Sequence, residues 1–126
     1  MTCRVPGLIA GVALVAACAT QPAKLQPNVP KVVEWLTLAP YASHEECVHL
    51  DAGDRLDYYF ETGTPVQFTI WYREAGVVLA PVTLDRTTRD SRVFEAALAH
   101  DYCMTWQARE EEALLTYRVT LRPAHR

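Results

Sequence analysis

Cysteines, histidines and a few clusters of acids are the residues of this 126-residue chain with reactive chemistry. Hydrolysis by a serine nucleophile needs that serine on a tight Gly-x-Ser-x-Gly elbow, and Ser43 and Ser91 stand in no such context. No Gly-rich phosphate loop is present either. Asp51, Asp54 and Asp57 surround a turn and could gather oxygen ligands for calcium, but they miss the EF-hand spacing and read as turn residues and a solvated strand edge. Glu110-Glu111-Glu112 reads as a solvated turn rather than a docking patch. His44, His49, His100 and His125 follow no ligand pattern, and neither Cys47 nor Cys103 has a partner at Cys-x-x-Cys spacing, so no metal set is expected. The expectation is a chain without catalytic residues, cofactor or metal.

The cysteines point elsewhere. Leu8 to Ala17 is an uninterrupted apolar run preceded by one charge, Arg4, and followed directly by Cys18. Ten apolar residues are too few to span a bilayer as a helix and fit the hydrophobic region of a secretory signal. Val15-Ala16-Ala17-Cys18 resembles the lipobox of bacterial lipoproteins. That resemblance implies cleavage after residue 17 and acylation of Cys18. Two or more acyl chains, at about 0.8 kcal/mol per buried methylene, anchor a protein stably. With Ala19 rather than aspartate next, the resemblance implies an outer-membrane lipoprotein facing the periplasm.

Residues 18–31 then form a tether. Pro22, Pro27 and Pro30 interrupt a stretch without periodicity, and at roughly 3.1 Å per residue Ala19 to Lys31 could hold a domain up to about 40 Å from the lipid. Residues 32–126 are enough for one domain, of a size that often needs a covalent staple. With Cys3 removed and Cys18 acylated, Cys47 and Cys103 are left with each other in an oxidising compartment, and a disulfide is expected. Closing a loop of that length contributes about 4 kcal/mol on the chain-entropy model. Removing Arg4 from twelve basic residues leaves eleven against fifteen acids. That acidic balance disfavours a nucleic-acid partner.

The elements that must position these residues are strands. Arg55 to Tyr72 has the cleanest period-two pattern, with Leu56, Tyr58, Phe60, Val66, Phe68, Ile70 and Tyr72 in one phase. A hairpin turning at Gly63-Thr64-Pro65 and pairing Thr62 with Val66 is expected, although strands crossing to opposite sheets show the same alternation. Further strands are read at Val32 to Leu38, Glu45 to Leu50, Val77 to Leu84, Arg92 to Ala96, Tyr102 to Gln107 and Leu115 to Leu121, with Asp85 to Ser91 a polar loop. Pro81 marks an edge or a bulge. The alternative for Arg92 to His100 is a helix, favoured by its alanines. Seven or eight short strands predict an all-β fold, a single antiparallel β-sandwich. Cys47 is in phase with Glu45 and His49, and Cys103 with Thr105, so the bridge lies on a polar face or near an edge, or a bulge shifts one phase.

Glu46-Cys47-Val48, Gly53-Asp54-Arg55-Leu56, Phe94-Glu95-Ala96 and Tyr102 to Gln107 resemble the GOLD domain of the p24 (emp24) cargo-receptor and Sec14-like families. The pattern departs from that family at Cys103, directly after Tyr102, and at Ala108, where asparagine is usual. The resemblance implies a jelly-roll-like β-sandwich that binds proteins or lipids without catalysis.

A lipid-anchored periplasmic binding or scaffold module engaging another envelope protein is therefore expected. The alternative is a sensor of a small molecule or glycan, or an inhibitor of an envelope hydrolase. Tyr59 and Trp71 fall out of the apolar phase, on the face carrying Arg55 and Arg73, so these four residues are the expected partner-binding patch. The other reading of Tyr59 and Trp71 is a second covered face, which makes them ordinary core aromatics.

Overall fold

The computed structural model describes residues 25–124; the signal segment, Cys18 and His125 lie outside them. Six strands follow one another, β1 (Lys31–Leu38), β2 (Ser43–Leu50), β3 (Arg55–Glu74), β4 (Val77–Glu95), β5 (His100–Ala108) and β6 (Ala113–Arg122). They form one antiparallel sheet in the order β1-β6-β3-β5-β2, with β4 on the remaining edge of β3. The class is all-β as expected, with six strands rather than seven or eight.

The difference comes from two mergers. The expected hairpin is instead the single strand β3, in which Thr62 opposes Leu115 of β6 and Val66 opposes Ala108 of β5. Gly63 does not adopt a positive φ, whereas Ala75 (φ 50°) and Gly76 (φ 79°) both do. Positive φ at both central residues is the mark of a type I′ hairpin loop, whose twist matches the flanking strands, and the chain reverses at Ala75-Gly76, between Glu74 and Val77. As one strand, β3 bonds β4 along one edge and β6, then β5, along the other. Pro65, which has no N–H to offer, stands where the partner changes from β6 to β5.

The second merger joins Val77 to Leu84 and Arg92 to Ala96 through Asp85 to Ser91, which is strand rather than loop. Its polar side chains are solvated because β4 is an edge. That edge is blunted by Pro81, by register shifts along the β3–β4 ladder and by Arg86, Arg89 and Arg92 with Asp85 and Asp90, as free edges commonly are. Pro81 thus lies both on an edge and within a register shift. Residues Arg92 to Glu95 are extended, not helical. β1 carries its own irregularity between Val33 and Leu36, where Trp35 has φ 57° and donates its backbone N–H to Thr116 Oγ1 at 3.2 Å.

β3 changes partner between Thr62 and Val66, and the sheet curls so that two wings face each other. One wing is β1, β6 and the first half of β3; the other is β2, β5 and its second half. The even-numbered apolar set Leu56, Tyr58, Phe60, Val66, Phe68 and Ile70 is buried as its phase requires. Phe60 and Phe68 meet at 4.6 Å between ring centroids, and Trp106 of β5 stacks on Tyr117 of β6 at 4.4 Å. Those rings are the seam between the wings.

Candidate functional site

Alternation places the odd-numbered side chains of β3, β5 and β2 on the outer face of the β5 wing. Register aligns them in rows: Trp71, Cys103 and Cys47 lie side by side, and beside them run Thr69, Thr105 and Glu45. Cys47 and Cys103 are disulfide-bonded directly across the β2–β5 ladder. The bridge is therefore on the face opposite the core, and no phase shift intervenes on either strand. It ties β2, which bonds β5 alone, to the sheet.

Trp71 is half-buried and donates its indole N–H to Thr105 Oγ1 at 2.9 Å. Arg73 places its guanidinium carbon 5.9 Å from the indole centroid, at the outer limit of a cation–π contact. Thr69, Trp71, Arg73, Val78 and Ala80 line a shallow groove of about 320 Å³. Val77, Val78 and Leu79 are exposed beside it. The surface is apolar at its floor, with one cation at its rim.

Tyr59 and Arg55 do not join it. Twelve residues separate Tyr59 from Trp71 along β3, about 40 Å of extended chain. Tyr59 pairs in register with Ser91 and Arg118 and borders another groove of about 320 Å³ with Val32, Glu34 and Thr116 on the β6 wing. Because β3 runs on where a hairpin was expected, the diagonal approach of Tyr59 to Trp71 does not form. Arg55 lies at the start of β3, paired with Glu95 at 3.3 Å, by an open concavity of about 800 Å³. That concavity is larger than the Trp71 groove, but its charges are already engaged: Arg122 reaches Asn28 at 3.1 Å and Asp57 at 3.8 Å. A ligand there must displace those pairs, whereas Arg73 is the one charged residue lining the Trp71 groove among the described residues.

A polar cluster that sequence reasoning missed closes the mouth between β1 and β2. Glu46, buried among the even-numbered residues of β2, accepts a hydrogen bond from Tyr117 Oη at 2.8 Å and an ion pair from Lys31 Nζ at 2.7 Å. His44 Nε2 lies 3.0 Å from the same Tyr117 oxygen, with its ring stacked near Trp106. Burial, reinforced by the Glu46 carboxylate, pushes the Tyr117 hydroxyl well above its ordinary value. Burial lowers His44, and the Glu46 charge opposes that shift. Phase alone gave a signal, since His44 and Glu46 fall with Val48 and Leu50 on the inward face of β2. With both Lys31 and Tyr117 on the carboxylate and little of it exposed, the cluster clasps the two wings together.

No protein-family model matches the sequence, and no curated protein is significantly similar to it. Among solved structures, the pre-peptidase C-terminal domain of a collagenase from Bacillus anthracis matches with a TM-score of 0.53 at 8% identity, over 85% of this chain and 100% of that one. A de novo designed double-stranded β-helix matches at a TM-score of 0.39 and 16% identity, over 74% of this chain and 97% of that one. At such identity the first likeness bears on the fold alone.

Proposed function

We propose that the chain is a lipid-anchored, periplasm-facing binding or scaffold module of the outer membrane that engages another envelope protein through the Trp71 face. The observation that carries this reading is the Trp71–Arg73–Val78–Ala80 groove. A tryptophan with its polar end tied to Thr105 and its ring beside exposed aliphatic residues is the kind of anchor found at the centre of protein interfaces. Arg73 at the rim favours a partner with an acidic side chain beside an apolar one. The shallow, open form of the groove supports a protein surface over a small molecule or glycan, which would be enclosed more deeply. Two wings closing on each other as the layers of a β-sandwich do, together with the GOLD resemblance, support a binding role without catalysis. The lipobox resemblance at Cys18 supplies the anchor.

Purification of the acylated protein from detergent-solubilised envelope tests the reading. One protein recovered at constant stoichiometry is expected, and its absence under mild detergent and low salt rejects the proposal.

A further inference from the structure

Glu45 and Cys47 are two residues apart on β2 and share its outer face, and Cys103 faces Cys47 from β5. Cys47 Sγ lies 3.3 Å from Glu45 Oε1, and one ligand atom from each of the three residues falls within 4.8 Å of the others. The two sulfurs are this close because they are bonded to each other; once reduced, two thiolates and a carboxylate on one face are the donor set of a zinc site rather than of calcium or magnesium, because thiolates select the softer ion. While the sulfurs are bonded to each other they carry no charge for a cation.

We propose that the reduced form of this pair binds one zinc ion through Cys47 Sγ, Cys103 Sγ and the Glu45 carboxylate, so that the rung is a redox-gated metal site. The reductant is a dithiol. One of its thiolates attacks a sulfur of the disulfide, forming a mixed disulfide and freeing the other cysteine as thiolate. Its second thiolate then displaces the first cysteine and closes its own disulfide. Two electrons and two protons pass to the chain, which ends with two thiols. Zinc displaces both thiol protons, leaving a centre of two thiolates, one carboxylate and the divalent ion, with a water in the fourth position.

The ladder makes the site feasible. Seven register pairs besides Cys47 with Cys103, from Ser43 with Gln107 to Leu50 with His100, align β2 on β5, with the two cysteine Cα atoms 4.0 Å apart. Tetrahedral zinc needs its two sulfurs about 3.8 Å apart, within reach of side-chain rotation on a fixed backbone. On the next rung His49 is held to Asp101 at 2.8 Å, and on the other side Thr105 is held by Trp71, so the flanking side chains are already ordered. Sequence spacing concealed the set because Cys103 comes from across the sheet.

The test uses the full chain with Cys3→Ala and Cys18→Ala, so that the pair supplies all its thiols. The protein is reduced with a phosphine, freed of reductant without oxygen, checked for retained sheet by circular dichroism, and titrated with Zn²⁺ against a chromophoric chelator and with Co²⁺ for thiolate charge transfer. One equivalent bound by the reduced protein and none by the oxidised protein is expected. Cys47→Ser should abolish binding, and Glu45→Gln should weaken it about tenfold or more. Failure of the reduced, folded protein to bind zinc overturns the proposal. So does equal affinity in Glu45→Gln, and so does loss of the sheet on reduction, since the ladder is what holds the thiols together.

Discussion

Trp71 donates its indole N–H to Thr105 Oγ1 across the β3–β5 ladder, and that bond at 2.9 Å fixes the orientation of a ring that strand phase already places on the outer face. A tryptophan N–H that is partly covered needs an acceptor, and the threonine hydroxyl supplies it without drawing the ring into the core. Cys103 is the register partner of Trp71, so the groove and the disulfide share one row.

The disulfide joins residues 56 apart in sequence and fastens the edge strand β2. Cys47→Ala and Cys103→Ala should each lower stability by about 2–4 kcal/mol in urea unfolding. The double variant should lose no more than either single, because the pair has one bond to lose. Additive losses would contradict this.

Tyr117→Phe removes one hydrogen bond from buried Glu46 and leaves Lys31 on the carboxylate. A bond to a charged acceptor contributes about 1.5–3 kcal/mol, and a loss of that size is expected. Tyr59→Phe, on the outer face, should stay within about 0.5 kcal/mol of the parent. Equal effects at the two tyrosines would remove the clasp from the account.

The pKa values of His44 and His49 are shifted in opposite directions. Burial holds His44 below its ordinary 6.5, while hydrogen bonds donated to the Asp101 and Asp51 carboxylates hold His49 above it. For His44 the unfolded chain binds the proton more tightly, so stability present above about pH 6.5 is lost as pH falls through the lowered value. For His49 the contribution is present below 6.5 and fades as pH rises through the raised value; being largely exposed, it is small. Melting temperatures from about pH 8 to about pH 5 should fall on the acid side, less so in His44→Gln. An unchanged acid slope in that variant would show that His44 is not its source.

Cys18→Ser should abolish acylation, leaving either a soluble domain or an uncleaved precursor. Fractionation with mass spectrometry reads this directly, and normal membrane attachment of the variant would defeat the lipoprotein reading.

The apolar phase from Leu56 to Tyr72 was legible because a strand's two faces differ every second residue, and six of those side chains are buried as read. Connectivity was not legible. A strand running straight through Gly63 and a hairpin turning there put the same residues on the same face, so phase cannot separate them. What decides is backbone φ, positive at Ala75 and Gly76 and not at Gly63. The disulfide partners were legible by elimination, but their face was not: phase left a polar face, an edge or a bulge open, and only the β2–β5 register decides for the outer face. The split of Tyr59 from Trp71 was not, because it depends on β3 changing partners from β6 to β5. The Lys31–Glu46–Tyr117 cluster draws on three strands that meet only once the sheet has curled.

The most direct test compares Trp71→Ala with the parent in envelope purification and in thermal unfolding. A buried tryptophan such as Trp106 should cost about 3–5 kcal/mol when truncated to alanine, whereas half-buried Trp71 should cost clearly less. Trp71→Ala should therefore remain folded, with a small drop in melting temperature, and recover no stoichiometric partner. A variant that keeps its partner, or one that loses as much stability as Trp106→Ala, would contradict the assignment of this face as the docking site.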